Sequence, residues 1–590
     1  MRKILVQISM TIAIVLFSGC ATSQPKTGQI MTHSKVFNTA INYYDQGKYE
    51  QALKYFKQAA IQDNNANAWY ILGTMYQFGN GVDIDYSKAI EYYKHAAEQN
   101  MPQAQYNLAY IYEKGDGTSV DYQEALRWYK KAADQNFDKA QNNLGNMYQR
   151  GKGVAQDYAK ALDLYKKAAQ SNMPEAQYNL GYMYAYGQGV KVNYEKAVYW
   201  YKKAAAQHYP LAQNNLGIMY ELGRGVEKDE DKALSLYTLA AKQNLAQAQY
   251  NLGYAYEHYN KGVADFKNAF KWYKRAADQN YPLAQNNLGV MYQYGHGVDV
   301  DYAKAIELYK KAAKNNMHQA QYNLGYMYAY GQGVKTDYTK AVKWYKKAAA
   351  QHDTKALNNL GVLYQYGYGV KQDYMKAAQL YEEAARYNMP EAEYNLGNLY
   401  MIGKGVKQNY PLAIKLYKKA ATKNYPKAEY NLGYMYTKGL GVKVDYQLAL
   451  YWYTRSADHN YVLAENNLGI VYQMGRGVPI NYKKAVELYL KAAMKNYAPS
   501  QYNMGNMYYL GHGVPKKYDV AFRFYQKAAK QNYSKAQYML GYMYFKGFGV
   551  DKDVYKAKEE FERASKQGNK FAVKGLNYLC KLYSNLCDKK

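Results

Sequence analysis

Residues 178–190 read YNLGYMYAYGQGV, and residues 322–334 read the same letters. The copies stand 144 residues apart, four times 36. Aligning the chain on the glycine of the NLG element gives Gly73, Ala109, Gly145, Gly181, Gly217, Gly253, Gly289, Gly325, Gly361, Gly397, Gly433, Gly469, Gly505 and Gly541, every interval being 36. A fixed period of this length held over fourteen repeats is the signature of a solenoid, in which each repeat buries its apolar face by stacking on the next.

Each repeat reads as two helices. In the copy at Gly181, Ala176, Leu180, Met183 and Tyr184 form one helical face. Gly187 and Gly189 can take the left-handed conformation that stops a helix and turns the chain. Asn193 is a cap for the second helix, and Pro210 opens the next repeat where its missing N–H is harmless. Ala197 and Ala204 let the two helices approach. A Tyr three residues after the glycine and an aromatic twenty residues after it recur from Tyr76 and Tyr93 to Tyr544 and Phe561, a regularity that predicts core. One repeat departs: after Gly253 the turn reads EHYNKGVADF, with Tyr259 and Lys261 where two glycines belong, so the turn there is expected to differ.

The pattern A…NLG.MY..G.GV..DY.KA..WYKKAA resembles the Sel1-like repeat, a 36-residue relative of the tetratricopeptide repeat, over residues 66–568. Residues 35–65, with the shorter turn DQGKY, resemble one tetratricopeptide unit, and residues 569–590 read as a capping helix. The resemblance implies an all-α, right-handed α-solenoid superhelix of about fifteen helix-turn-helix repeats, with the first helices lining a concave groove.

The N-terminus reads as an export signal over residues 1–19: Arg2 and Lys3 precede an apolar run too short for a comfortable membrane span. FSGC at residues 17–20 resembles the bacterial lipobox, which implies acylation of Cys20, and Ala21 after it implies sorting to the outer membrane, at its periplasmic face. Residues 20–34 are polar, contain Pro25 and Gly28, and read as a lipidated flexible tether. Cys580 and Cys587 are the other cysteines; in an unbroken helix seven residues hold them about 10 Å apart, so a bond between them requires the helix to end first.

The chain has 590 residues and a net charge of +30, mostly lysine. For an exported protein this points away from nucleic acid and toward anionic polysaccharide, anionic headgroups or acidic proteins. Motifs for catalysis are missing: there is no HExxH and no GxSxG, and GxGV joins helices instead of following a strand. The SxxK at Ser23–Lys26 lies in the tether. Cysteine-rich Sel1 proteins have carried a β-lactamase label, but their paired cysteines are absent here. The sequence therefore implies no enzyme, no cofactor and no metal site. The paired lysines of the second helices, such as Lys166 with Lys167 and Lys310 with Lys311, fall on the outer wall.

The informative polar pattern is an asparagine two residues before the glycine, including Asn143, Asn179, Asn215, Asn251, Asn287, Asn323 and Asn359. Asparagine is a poor mid-helix residue, so its recurrence needs a reason. Two stay open. The amides tie neighbouring turns together inside the stack, or, as the resemblance implies, they bond the main chain of a bound peptide. Beside this ladder, Tyr178, Tyr250 and Tyr322 alternate with asparagines at the same position of intervening repeats, and Tyr182, Tyr254 and Tyr326 alternate with Ile218, Val290 and Val362, a period of 72. The expected function is a non-catalytic protein-interaction scaffold anchored in the bacterial envelope, binding protein partners of the envelope or host in its groove. The competing readings are an enzyme acting on peptidoglycan or β-lactams, and a direct binder of acidic envelope polysaccharide.

Overall fold

The computed structural model describes residues 34–259, 263–583 and 586. The expected export signal, Cys20 and the tether up to residue 33 lie outside them. Among the described residues there are 31 helices and no strand: α1 (Lys35–Asp45) and α2 (Tyr49–Asp63), then a pair per repeat from α3 (Ala66–Phe78) with α4 (Tyr86–Glu98) to α29 (Ser534–Lys546) with α30 (Val554–Ser565), closed by α31 (Lys570–Leu582). The chain is an α-solenoid of about fifteen helix pairs. It forms two compact units, one ending at Ala255 and one starting at Tyr256. The division falls within helix α13 (Ala246–His258), ahead of the departing turn, whose residues 260–262 lie outside the described residues.

In the first unit the repeat at Gly181 shows how each pair is made. Pro174 sits in the first turn of α9 (Pro174–Tyr186), and Gly187 ends that helix at φ 69°. Gly189 is also at φ 69°, and a Cβ there would stand 2.8 Å from the Cβ and carbonyl of Tyr158 in the preceding repeat, so close approach as well as backbone conformation requires glycine. Asn193 Oδ1 accepts from the Lys196 N–H at 2.8 Å and caps α10 (Tyr194–Ala206). The return turn uses His208 at φ 61°, where other repeats place an asparagine such as Asn172 at 59°. Asparagine and histidine are enriched in this left-handed region, which accounts for a position that sequence reading passed over.

Inside each pair the glycine meets an aromatic ring. A Cβ on Gly181 would lie 2.6 Å from the Tyr201 ring, and one on Gly361, in the second unit, 2.6 Å from Tyr381. Both rings are fully buried, as are Ala197 and Ala204. In most repeats the ring hydroxyl is satisfied from the first helix: Tyr165 donates to Gln149 Oε1 at 2.8 Å and Tyr381 to Gln365 Oε1 at 2.8 Å. The tyrosine three residues after the glycine is less deeply placed than expected. Tyr76 is buried, but Tyr148 and Tyr184 are half-buried at the seam between repeats. Their outer faces carry cations, Lys160 Nζ 5.4 Å from the Tyr148 ring and Lys196 Nζ 5.5 Å from Tyr184.

A second seam runs through the return turns. Gln207 Nε2 donates to Gln177 Oε1 at 2.9 Å and to Asn172 Oδ1 at 3.3 Å, tying one repeat to the last. In three successive repeats of the second unit the buried glutamine is a glutamate. Glu393, Glu429 and Glu465 are each 0% exposed. Glu393 pairs with Lys419 at 3.1 Å and Lys423 at 2.9 Å, Glu429 with Arg455 at 3.1 Å and His459 at 2.8 Å, and Glu465 with Lys491 at 3.2 Å and Lys495 at 2.6 Å. At the far end Cys580 is disulfide-bonded, and its helix α31 ends at Leu582, before Cys587, which lies outside the described residues.

Two stability predictions follow from this packing. Tyr201→Ala should remove about 3–5 kcal/mol and Tyr184→Ala clearly less, with hydrogen exchange showing the loss confined to adjacent repeats. Removing both cations from Glu465 (Lys491→Ala with Lys495→Ala) should cost about 3 kcal/mol in urea unfolding, whereas Glu465→Gln with Lys495→Gln rebuilds the amide rung and should recover most of it.

Candidate binding face

The asparagine ladder lies half-buried along the first helices and spends part of its hydrogen-bonding capacity within the stack. In the first unit Asn143 Nδ2 donates to Tyr129 Oη at 3.0 Å, and Asn143 Oδ1 accepts from Asn142 Nδ2 at 3.3 Å. Asn179 Nδ2 donates back one repeat to Asn142 Oδ1 at 2.9 Å. The next period repeats this: Asn214 donates to Asn215 at 3.2 Å, Asn215 to Tyr201 Oη at 3.3 Å, and Asn251 to Asn214 at 2.8 Å. In the second unit Asn286 donates to Asn287 at 3.2 Å, Asn323 to Asn286 at 3.0 Å, and Asn359 to Tyr345 Oη at 3.3 Å.

The 72-residue alternation is thus a donor–acceptor chain. A repeat with two adjacent asparagines supplies the acceptor that the next repeat's ladder amide needs. An amide has two N–H groups and two lone pairs, so the bond to the stack leaves capacity on each half-buried rung facing solvent.

The tyrosines of the alternation fall into two layers. Tyr178 packs against Tyr201 at 5.9 Å and Tyr209 at 5.5 Å, and Tyr322 against Tyr345 at 5.8 Å. Burial pushes the Tyr322 phenol up to about 12 and raises Tyr178 as well, so both stay protonated donors. Tyr250 is half-buried in the same row. One helical turn on, Tyr182 and Tyr326 are half-buried and Tyr254 is exposed.

Sequence reading missed a third row, the last residue of each first helix, five after the glycine. In the first unit it exposes Tyr186 (62%) and Leu222 (49%); in the second it exposes Tyr294, Tyr330, Tyr366 and Ile402 in four successive repeats. The signal was available as a large apolar residue immediately before the GxG turn, where a helix end is ordinarily polar. Lys166, Lys167, Lys310 and Lys311 are exposed on the second helices. Among the described residues no cluster of three or more His, Cys, Asp or Glu is placed to hold a metal ion, and no helix is long and apolar enough to cross a membrane.

Fourteen successive segments match the Sel1 repeat, from residues 66–101 to 534–569, and residues 37–80 match a tetratricopeptide repeat. The chain belongs to the Sel1-repeat family. Among solved structures it is similar to c5321, described as a protective antigen present in uropathogenic Escherichia coli strains displaying an SLR fold. The two share 33% identity over 77% of this chain and 90% of that one, with a TM-score of 0.57. A Sel1 repeat protein from Oxalobacter formigenes is 32% identical over 41% of this chain and 96% of its own, with a TM-score of 0.38. No curated protein matches the chain. Repeats of the Sel1 and tetratricopeptide type are protein-interaction scaffolds and are generally non-catalytic.

The ladder predicts its own energetic role. Asn214→Ala strands the Asn251 N–H and the Asn215 carbonyl, so the first unit should lose about 1–3 kcal/mol although alanine is the better helix former. A rise in melting temperature would refute this.

Proposed function

We propose that this Sel1-repeat protein is a non-catalytic scaffold of the bacterial envelope, held by acylated Cys20 at the periplasmic face of the outer membrane, whose first-helix face binds segments of envelope or host proteins. The observation that carries the reading is the row of exposed apolar side chains at the ends of the first helices, Tyr294, Tyr330, Tyr366 and Ile402 in the second unit. Large apolar side chains exposed in register mark interaction sites. The half-buried ladder amides beside them offer paired donors and acceptors of the kind an extended main chain requires. Burial, by contrast, is complete for the alanines and core rings, which leaves them to hold the stack. A relative that is a protective antigen of uropathogenic Escherichia coli supports an envelope location.

A photo-crosslinking residue at Tyr294, Tyr366 or Ile402 should capture one common partner in the native envelope, and the same residue at Lys310 on the second helix should not. Equal capture from both faces would refute the assignment. For the anchor, Cys20→Ser should leave the exported protein unprocessed or soluble; its retention in the outer-membrane fraction would count against lipidation.

A further inference from the structure

The stretch shared by residues 178–190 and 322–334 builds one constellation in each compact unit. Tyr182 and Tyr186 lie 4.4 Å apart between ring centroids with planes 36° apart; Tyr326 and Tyr330 lie 4.4 Å apart at 38°. Behind these pairs stand Tyr178 with Tyr201 and Tyr322 with Tyr345. The outermost rings, Tyr186 and Tyr330, are about two-thirds exposed, while Tyr201 and Tyr345 are buried.

These two repeats differ from most in the residue four after the glycine. In most other repeats a glutamine or glutamate there takes the proton of the core phenol, as Gln149 does from Tyr165, Gln293 from Tyr309 and Gln365 from Tyr381; where that residue is Met401 or Tyr509, Asn398 takes it from Tyr417 and Asn506 from Tyr525. Here that residue is Ala185 or Ala329. Tyr201 Oη accepts from Asn215 Nδ2 and Tyr345 Oη from Asn359 Nδ2, each at 3.3 Å, and among the described residues neither hydroxyl has a protein acceptor for its own proton. Burial raises the Tyr201 phenol and keeps that proton in place, and the nearby hydroxyls of Tyr178, Tyr186 and Tyr182 add to the rise. Each site therefore holds a buried donor facing a group of phenols. No charged residue occurs in 178–186 or 322–330, in a chain of net charge +30.

We propose that the two tyrosine clusters are a pair of equivalent binding sites for an uncharged sugar ring of a polysaccharide. A pyranose has a C–H face that lies flat on an aromatic ring and an edge of hydroxyls that both donate and accept. The exposed ring pair supplies the platform; the phenols, the Asn215 or Asn359 amide and the buried donor supply the edge. Among the described residues no cation lies over the exposed Tyr182–Tyr186 or Tyr326–Tyr330 pair, which disfavours an acidic polymer; Lys355 Nζ stands 6.0 Å from the supporting Tyr322 ring behind the second pair. A peptide anchor side chain calls for a closed, desolvated pocket, whereas here the outermost ring, Tyr186 or Tyr330, is open to solvent. This ligand is additional to the protein segments assigned above, and the two readings stand or fall separately.

Calorimetric titration of the full mature chain with chitohexaose and maltohexaose, both uncharged, tests the proposal, with an alginate hexamer and a proline-rich decapeptide alongside. At least one neutral hexasaccharide should bind at two sites per chain. Tyr186→Ala should leave one site, and Tyr186→Ala with Tyr330→Ala should weaken binding about tenfold or more. Ala185→Gln, which returns an acceptor to Tyr201 without touching the platform, should weaken the first site alone. Leu222→Ala, in the same row but outside the clusters, should change nothing. The proposal is overturned if neither neutral sugar binds at millimolar concentration, if binding survives the double variant, or if the decapeptide or alginate is instead the ligand lost in that variant.

Discussion

The contact on which the array depends is the one between a missing Cβ and a buried ring. In nearly every repeat the first helix presents glycine where the second presents an aromatic face, and the imagined Cβ falls 2.5–2.8 Å from ring carbon, from Gly73 on Tyr93 to Gly541 on Phe561. Real carbon atoms do not approach so closely, so the contact fixes how near the two helices lie. Buried alanines on the second helix then fill the rest of the seam without forcing it open. Ala109 shows the tolerance of the rule, since it takes the glycine's place and is buried in the same core as Tyr129. A ring held this tightly brings its hydroxyl inside, and the hydroxyl in turn dictates a polar residue on the first helix, such as Gln77 beneath Tyr93 at 2.6 Å.

Because every repeat solves the same packing problem, the period of the sequence is the period of the structure, and the fold was legible from it. The stop at Gly187, the cap at Asn193 and the proline that opens the next helix are local chemistry, and each acts where its residue stands. Other features were illegible for a physical reason. Glu393, Glu429 and Glu465 look like ordinary surface charges in a lysine-rich chain, and only burial at 0% exposure shows that each needs cations brought from the second helix of its own repeat and the turn after it. His208 and His352 were visible as copies of each other, but their shared reason is a backbone angle near 60°, which no side-chain chemistry announces.

The candidate face was legible in its rows and not in their depth. Spacing alone put Tyr178 and Tyr182 on one helical stripe, yet the first is packed on Tyr201 and the second on Tyr186, so one belongs to the support and the other to the surface. The ladder had two readings because an amide can serve two masters at once. Asn179 uses one N–H on Asn142 and remains half-buried, so holding the stack and offering bonds outward are compatible in one residue.

The ladder also constrains which repeat can follow which. Where a double-asparagine repeat precedes, as at Asn358, the following Asn395 finds its acceptor at 2.9 Å. Where two tyrosine repeats succeed each other, at Tyr394 and Tyr430, that acceptor is missing, and Asn431 turns instead to Asn398, one residue after the glycine, at 3.0 Å. The same Asn398 bonds the Tyr417 hydroxyl at 2.7 Å, standing in for the Gln or Glu that position 401 lacks. At this junction a residue elsewhere in the repeat makes up for the missing acceptor. Copying an even number of repeats preserves every donor–acceptor step of the alternation. The identical stretches at 178 and 322 lie four repeats apart, a whole number of 72-residue periods, which is the spacing at which a copied segment fits both its neighbours without further change.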